Sequence, residues 1–159
     1  MELSVKERLR IYEDQEETLQ FTSFNNDDAW ELGVTMVELA RKQESNVAIE
    51  IIVNGYQVFR YGFPGTNNNN DWWLKCKNNT VDNLHMSSIH AGAILEDEQM
   101  TIEERFRLDN ENHATCGGSF PLIIKGTGVI GTIAVSGLPD YLDHQLIIDG
   151  VTEYFKNKK

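Results

Sequence analysis

The apolar positions switch several times between helical and strand spacing, and each switch is marked by a cap or a turn. Ser4 followed by Glu7 forms a capping-box signature, which predicts a first helix to about Glu17. "TLQFTSF" (18–24) then alternates Leu19 and Phe21 with polar neighbours, the pattern of a half-buried strand. Asn26 is expected to begin a second helix, with Asp27 and Asp28 at the positive end of its dipole and Trp30, Val34 and Val37 on its apolar face, continued by Leu39 and Ala40.

"NVAIEIIVNGYQVFRYGFPG" holds two β-rich runs around Asn54-Gly55. Both residues tolerate positive φ, so the segment reads as a tight hairpin with Ile49, Ile51 and Val53 on one face. Asp71 is expected to cap "WWLKCKNNTVDNLHMSSIHAGAILE", one long helix or two with a break near Asn78-Asn79. Thr101 with Glu104 opens a short helix. "SFPLIIKGTGVIGTIAVSG" is a second strand pair, in which Gly131 marks a bulge or a close backbone approach. Pro139 then suits the first turn of a final helix whose buried face is Leu142, Leu146, Ile147, Val151 and Tyr154. Five strands, four of them in hairpins, predict an α+β domain spanning 1–159: an antiparallel sheet flanked by helices, in a profilin/PAS-like arrangement.

The balance of residues narrows the function. A net charge of −11 disfavours nucleic acid and anionic lipid surfaces. No apolar run is long enough to cross a bilayer and the charged first residues hold no signal core, so a cytoplasmic protein is expected. Cys76 and Cys116 are then expected to be free thiols.

Candidate chemistry centres on "CGGSFPLIIKGTG" (116–128). Its glycines lead into a strand, and no Gly-Lys-Ser/Thr opens a helix, so a phosphate loop lacks its helix N-terminus. Turn geometry or close packing accounts for the glycines instead. Cys116 could act as a nucleophile if a nearby base lowered its pKa, and His113 lies three residues away. His85, His90, His113 and His144 show no zinc-type spacing. Trp72 and Trp73 stand beside Lys75 and Lys77, a pairing that suits core or interface better than a nucleic-acid platform in so acidic a chain.

"GGSFPLIIKGTGVIGTIAVSGLPDYLDH" resembles the signature of the haem-degrading domain family, the GlcG/HbpS-like domains also found at the C-terminus of some PduO proteins. The matching positions are Gly117, Gly118 and Pro121, then 129–137, then Asp143. Together with Trp73, Lys75, Lys77, Asn79-Thr80-Val81, Ser87-Ser88 and Asp143-His144, it looks like the branch known as uncharacterised protein family 0303. Cys116 stands where that branch carries a histidine. The resemblance implies a profilin-like α+β fold, a dimer-based ring- or barrel-like homo-oligomer, and haem or tetrapyrrole binding in some members.

The site it implies lies around Lys77 and the turn of Gly117, Gly118, Ser119 and Phe120. Lys77 would face a propionate or carboxylate, the glycine amides would donate hydrogen bonds, and His113 or His144 would ligate iron. The expectation is an oligomer that binds haem or another small ligand there, with neither nucleic acid nor membrane as partner. The alternative is a non-catalytic assembly protein without a cofactor.

Overall fold

The computed structural model describes residues 2–158. Helices α1 (Val5–Thr18) and α2 (Asn26–Lys42) precede the hairpin of β1 (Ala48–Val53) and β2 (Tyr56–Gly62). Helices α3 (Asn68–Leu84), α4 (Ser88–Glu98) and α5 (Ile102–Phe106) follow. The hairpin of β3 (Ser119–Ile124) and β4 (Gly128–Ser136) leads into α6 (Asp140–Asn157). The strands form one antiparallel sheet in the order β2-β1-β4-β3.

Side chains alternate across a sheet, and here the two faces differ in chemistry. Ile49, Ile51, Phe120, Leu122, Ile133 and Val135 belong to the main apolar core, covered by α2 and α6. The alternate positions carry Ala48, Glu50, Ser119, Thr132, Ala134 and Ser136, all buried, and α3 packs on this side. Small residues let α3 come close. They also leave it few apolar partners, so a polar thread runs beneath it: the Gln57 amide donates to Glu50 (2.7 Å), the Asn78 amide to Glu50 (2.9 Å), and the Ser119 hydroxyl to Asn78 (2.7 Å).

The sheet has four strands, not the expected five. "TLQFTSF" makes only a parallel bridge, Phe21 to Ile124, between the C-cap of α1 at Leu19 and the N-cap of α2 at Asn25. Phe21 and Phe24 pack edge to face at 4.9 Å, which puts residues three apart together and breaks the strand alternation. On α2, Leu32, Met36, Val37 and Ala40 are buried and Val34 packs against the core, as expected for Val34 and Val37, whereas Trp30 is 65% exposed against the edge of Phe59. Asn67, not Asp71, caps α3, and its side chain accepts from the Asn69 amide. The break between α3 and α4 falls at His85–Ser87, where His85 adopts the left-handed conformation and Ser87 caps α4. Leu142 is exposed rather than part of the buried face of α6. The Asn54-Gly55 turn, both hairpins and the capping boxes at Ser4 and Thr101 are as expected. At Gly131 a Cβ would collide with the Ile52 carbonyl, the close approach its position in a strand suggested.

Candidate functional site

Leu74, Lys77, Asn78 and Val81 recur at helical spacing and form the buried stripe of α3. Lys77 is therefore aimed at the sheet, and only 2% of it is exposed. Its Nζ donates to the carbonyls of Val135 (2.6 Å) and Gly117 (3.3 Å) and lies 3.5 Å from Asp143 Oδ2. The paired glycines make room for this head group. A Cβ on Gly118, whose φ is +125°, would overlap Lys77 Nζ and press on the Val135 carbonyl.

The start of α6 supplies two carboxylates. Pro139 gives α6 no side-chain cap, and Asp140 and Asp143 occupy its first turn. Asp140 Oδ2 accepts from the Gly117 amide (2.9 Å), and Asp143 Oδ1 accepts from the Leu138 amide (2.9 Å). Burial pushes the Asp143 carboxyl up to about 6, against the pull of Lys77. Burial pushes the Lys77 ammonium down, against Asp143 and Cys116. Both shifts have the same cause: a low-dielectric site taxes each charged form.

These groups line a cavity of about 340 Å³. Lys77, Cys116, Gly117, Asp140 and Asp143 form one side of it. Asn69, Asn70, Trp73, Ser136, Gly137 and Leu138 complete it. The Asn70 amide donates to the Ser136 carbonyl and hydroxyl, both at 3.3 Å, which holds the first turn of α3 against the end of β4. Burial pushes the Cys116 thiol up, although Lys77 opposes the shift, so the thiol lacks the activation a nucleophile needs.

Of the residues singled out in the sequence, the structure brings Trp73, Lys77, Cys116, Gly117 and Asp143 to the cavity wall, with Gly118 packed directly behind Lys77 Nζ. The Gly117 amide is already engaged by Asp140. Ser119 is buried beneath α3, its amide donating to the Ser88 hydroxyl, and Phe120 lies in the main core. His113 lies beside the α3 surface, with Nδ1 against the Asp109 carbonyl (2.9 Å) and Nε2 against the Asn83 amide (3.1 Å). His144 is buried behind Tyr12, its Nε2 donating to Gln15 Oε1 at 2.8 Å, and it lines a separate cavity of about 250 Å³. Its Nδ1 has no hydrogen-bond partner among the described residues, and burial holds the imidazole down to about 4. Nothing in the sequence marks Asp140 or Asn70 as a site residue, and Ser136 is marked only as part of the matching stretch 129–137. The place of Asp140 beside a proline at a helix start shows in the sequence, but its reach to Gly117 is set by the tertiary fold.

The overall arrangement has known counterparts. A UPF0303 protein from Streptomyces coelicolor is 42% identical over 142 residues, covering 89% of this chain and 90% of the relative. The crystal structure of the Ybr137w protein matches with a TM-score of 0.87 and 25% identity, covering 99% of this chain and 91% of that one. The crystal structure of a PduOC:heme complex matches in fold, with a TM-score of 0.68 and 16% identity over 82% of this chain and 94% of that one. No helix among the described residues is long and apolar enough to cross a membrane. A family model described as "Haem degrading protein HbpS-like" matches residues 24–152, and with the 42% identical relative it shows that the chain belongs to the HbpS-like family, on its UPF0303 branch.

Proposed function

We propose that this protein binds a small, uncharged polar molecule in the cavity between α3, the Cys116–Gly118 turn and the start of α6. The observation that carries the reading is Lys77, a cation kept at the wall of a cavity where an apolar residue would avoid its desolvation cost. Trp73 offers an apolar wall, and Asn69, Asn70 and Ser136 offer a few placed polar groups, the usual make-up of a small-molecule site. Two carboxyl groups against one lysine leave no surplus positive charge, whichever of Lys77 and Asp143 holds the shared proton, so the site favours a neutral ligand over an anion.

Haem enters through the family description and the PduOC:heme complex. The residues here do not fit it within one chain. A haem needs an axial donor facing the iron. His113 is tied to Asp109 and Asn83, His144 lines a different cavity, and burial keeps the Cys116 thiol protonated. Lys77 is held by two carbonyls and a carboxylate rather than presented to a propionate.

Cys116 reports occupancy of the cavity, because it lines the wall, whereas Cys76 is buried elsewhere. Alkylation of Cys116 by iodoacetamide is expected to slow severalfold in glycerol and to be little affected by glycerate or haemin. Equal or better protection by glycerate or haemin would overturn the charge argument. No protection by glycerol would overturn the pocket itself.

We also infer that the protein self-associates, with no nucleic acid or membrane as partner. Strand β2 forms an outer edge of the sheet; Tyr56 on it is 70% exposed, and Trp30 of α2 is exposed against Phe59 of the same strand. An open edge flanked by aromatic residues invites a second copy.

A further inference from the structure

The cavity lining alone leaves the ligand's chemistry open, and Lys77 narrows it. An ordinary lysine head reaches solvent. This one is buried on α3, and its Nζ spends two directions on fixed backbone carbonyls, Val135 at 2.6 Å and Gly117 at 3.3 Å. The third direction holds only the long 3.5 Å contact to Asp143 Oδ2, and Asp143 lines the cavity beside it. In the neutral amine the two N–H groups stay on the carbonyls, and the lone pair takes this third direction.

We propose that Lys77 captures a small carbonyl compound, a hydroxy-aldehyde or hydroxy-ketone, as an imine, with Asp143 moving the protons. The inference rests on the pocket reading above and adds the ligand's reactive group to it. The cavity's neutral polar lining suits the hydroxyl groups of such a ligand, and Trp73 suits its carbon face.

The Lys77 Nζ lone pair forms a bond to the carbonyl carbon, and the C=O π pair moves to oxygen. The Asp143 carboxylic acid protonates that oxygen, and its carboxylate takes a proton from the new ammonium, giving a neutral carbinolamine. Asp143 then protonates the hydroxyl group, which leaves as water while the nitrogen lone pair closes the C=N bond. The product is an iminium ion paired with the Asp143 carboxylate, plus one water, and no redox partner is involved. Burial supports both roles, since it moves Lys77 toward the free amine and Asp143 toward the acid. The other titratable groups facing the ammonium are Asp140 on α6 and Cys116 on the preceding turn.

The test is reductive trapping on the intact protein. Glyceraldehyde is added with cyanoborohydride, and the modified lysines are mapped by peptide mass spectrometry. Lys77 is expected to be labelled ahead of the far more exposed Lys6, whose side chain is 73% accessible. Labelling of Lys6 with Lys77 unmodified would overturn the proposal. Asp143→Asn should slow labelling at Lys77 and leave Lys6 unchanged; an equal rate at Lys77 would remove Asp143 from the step. Glycerol protection of Cys116 separates the two readings. Protection without trapping keeps the pocket and rejects the imine, and loss of both rejects the pocket.

Discussion

His144 shows what a single buried group does to the pH dependence of the fold. Its imidazole is held down to about 4 by burial, below the ordinary 6.5 of an exposed chain. The unfolded protein therefore takes up a proton as pH falls through 6.5, while the folded protein waits until about 4. The stability His144 contributes is complete above pH 6.5 and drains away between 6.5 and 4, by up to about 3 kcal/mol. Asp143 works in the opposite sense. Its folded value of about 6 lies above the ordinary 3.8, so its contribution is complete below 3.8 and is lost as pH rises to 6. Comparing wild type with His144→Gln isolates the histidine. Denaturant titrations should show wild type losing stability relative to the variant as pH drops from 7 to 4. A constant difference across that range would contradict a neutral buried His144.

At the scale of elements, the meeting of α3 with the β3–β4 hairpin depends on Gly118. A methyl group there would strike Lys77 Nζ and the Val135 carbonyl at a φ of +125°. Gly126, in the turn of the same hairpin, has a φ of +79°, and a methyl group added to it would meet nothing within 4 Å. Gly126→Ala should cost about 1 kcal/mol for backbone conformation alone. Gly118→Ala should cost more, about 3 kcal/mol, because the packing clash adds to the backbone term. Equal losses in chemical denaturation would mean that Lys77 yields without resistance.

Elements with local signals were legible in advance. Asn54-Gly55 specifies its own turn, and Ser4 with Glu7 specifies its own cap. "TLQFTSF" was not, because alternation describes a chain that has room to extend, and the caps of α1 and α2 leave only five residues between Leu19 and Asn25. On α2 the expected face holds at Val37 and Ala40, and Trp30 alone departs from it, because an aromatic at helical spacing can cover a neighbour's edge instead of entering the core. Lys77 was found through resemblance, although its place on the Leu74–Val81 stripe would have announced its burial. Asp140 joins the site only because β4 and α6 meet beside Gly117, a contact across 23 residues that no local pattern records.

At the scale of the whole molecule, the −11 charge and the aromatic edge pull in different directions. Like charge opposes association, and apolar surface at Trp30 and Tyr56 favours it. We expect the apolar term to win, with a dimer as the repeating unit. Light scattering should then give a mass above the 18.1 kDa of one chain, increasing with salt as repulsion is screened. Tyr56→Lys with Trp30→Lys should return the monomer, and a monomeric wild type would dismiss the expectation.

The unequal faces of the sheet also divide the protein's stability. The α2 and α6 side is sealed by apolar burial, and separating it would expose the surface that gives unfolding its steep denaturant response. The α3 side is joined by Glu50, Asn78, Ser119 and Lys77 over small residues, with only a small apolar cluster of Leu74, Ala48 and Ala134 beside them. Parting the α3 side would strand Lys77 from the Val135 carbonyl and Asn78 from Glu50 and Ser119, so that layer rests on paired hydrogen bonds where the other rests on apolar area.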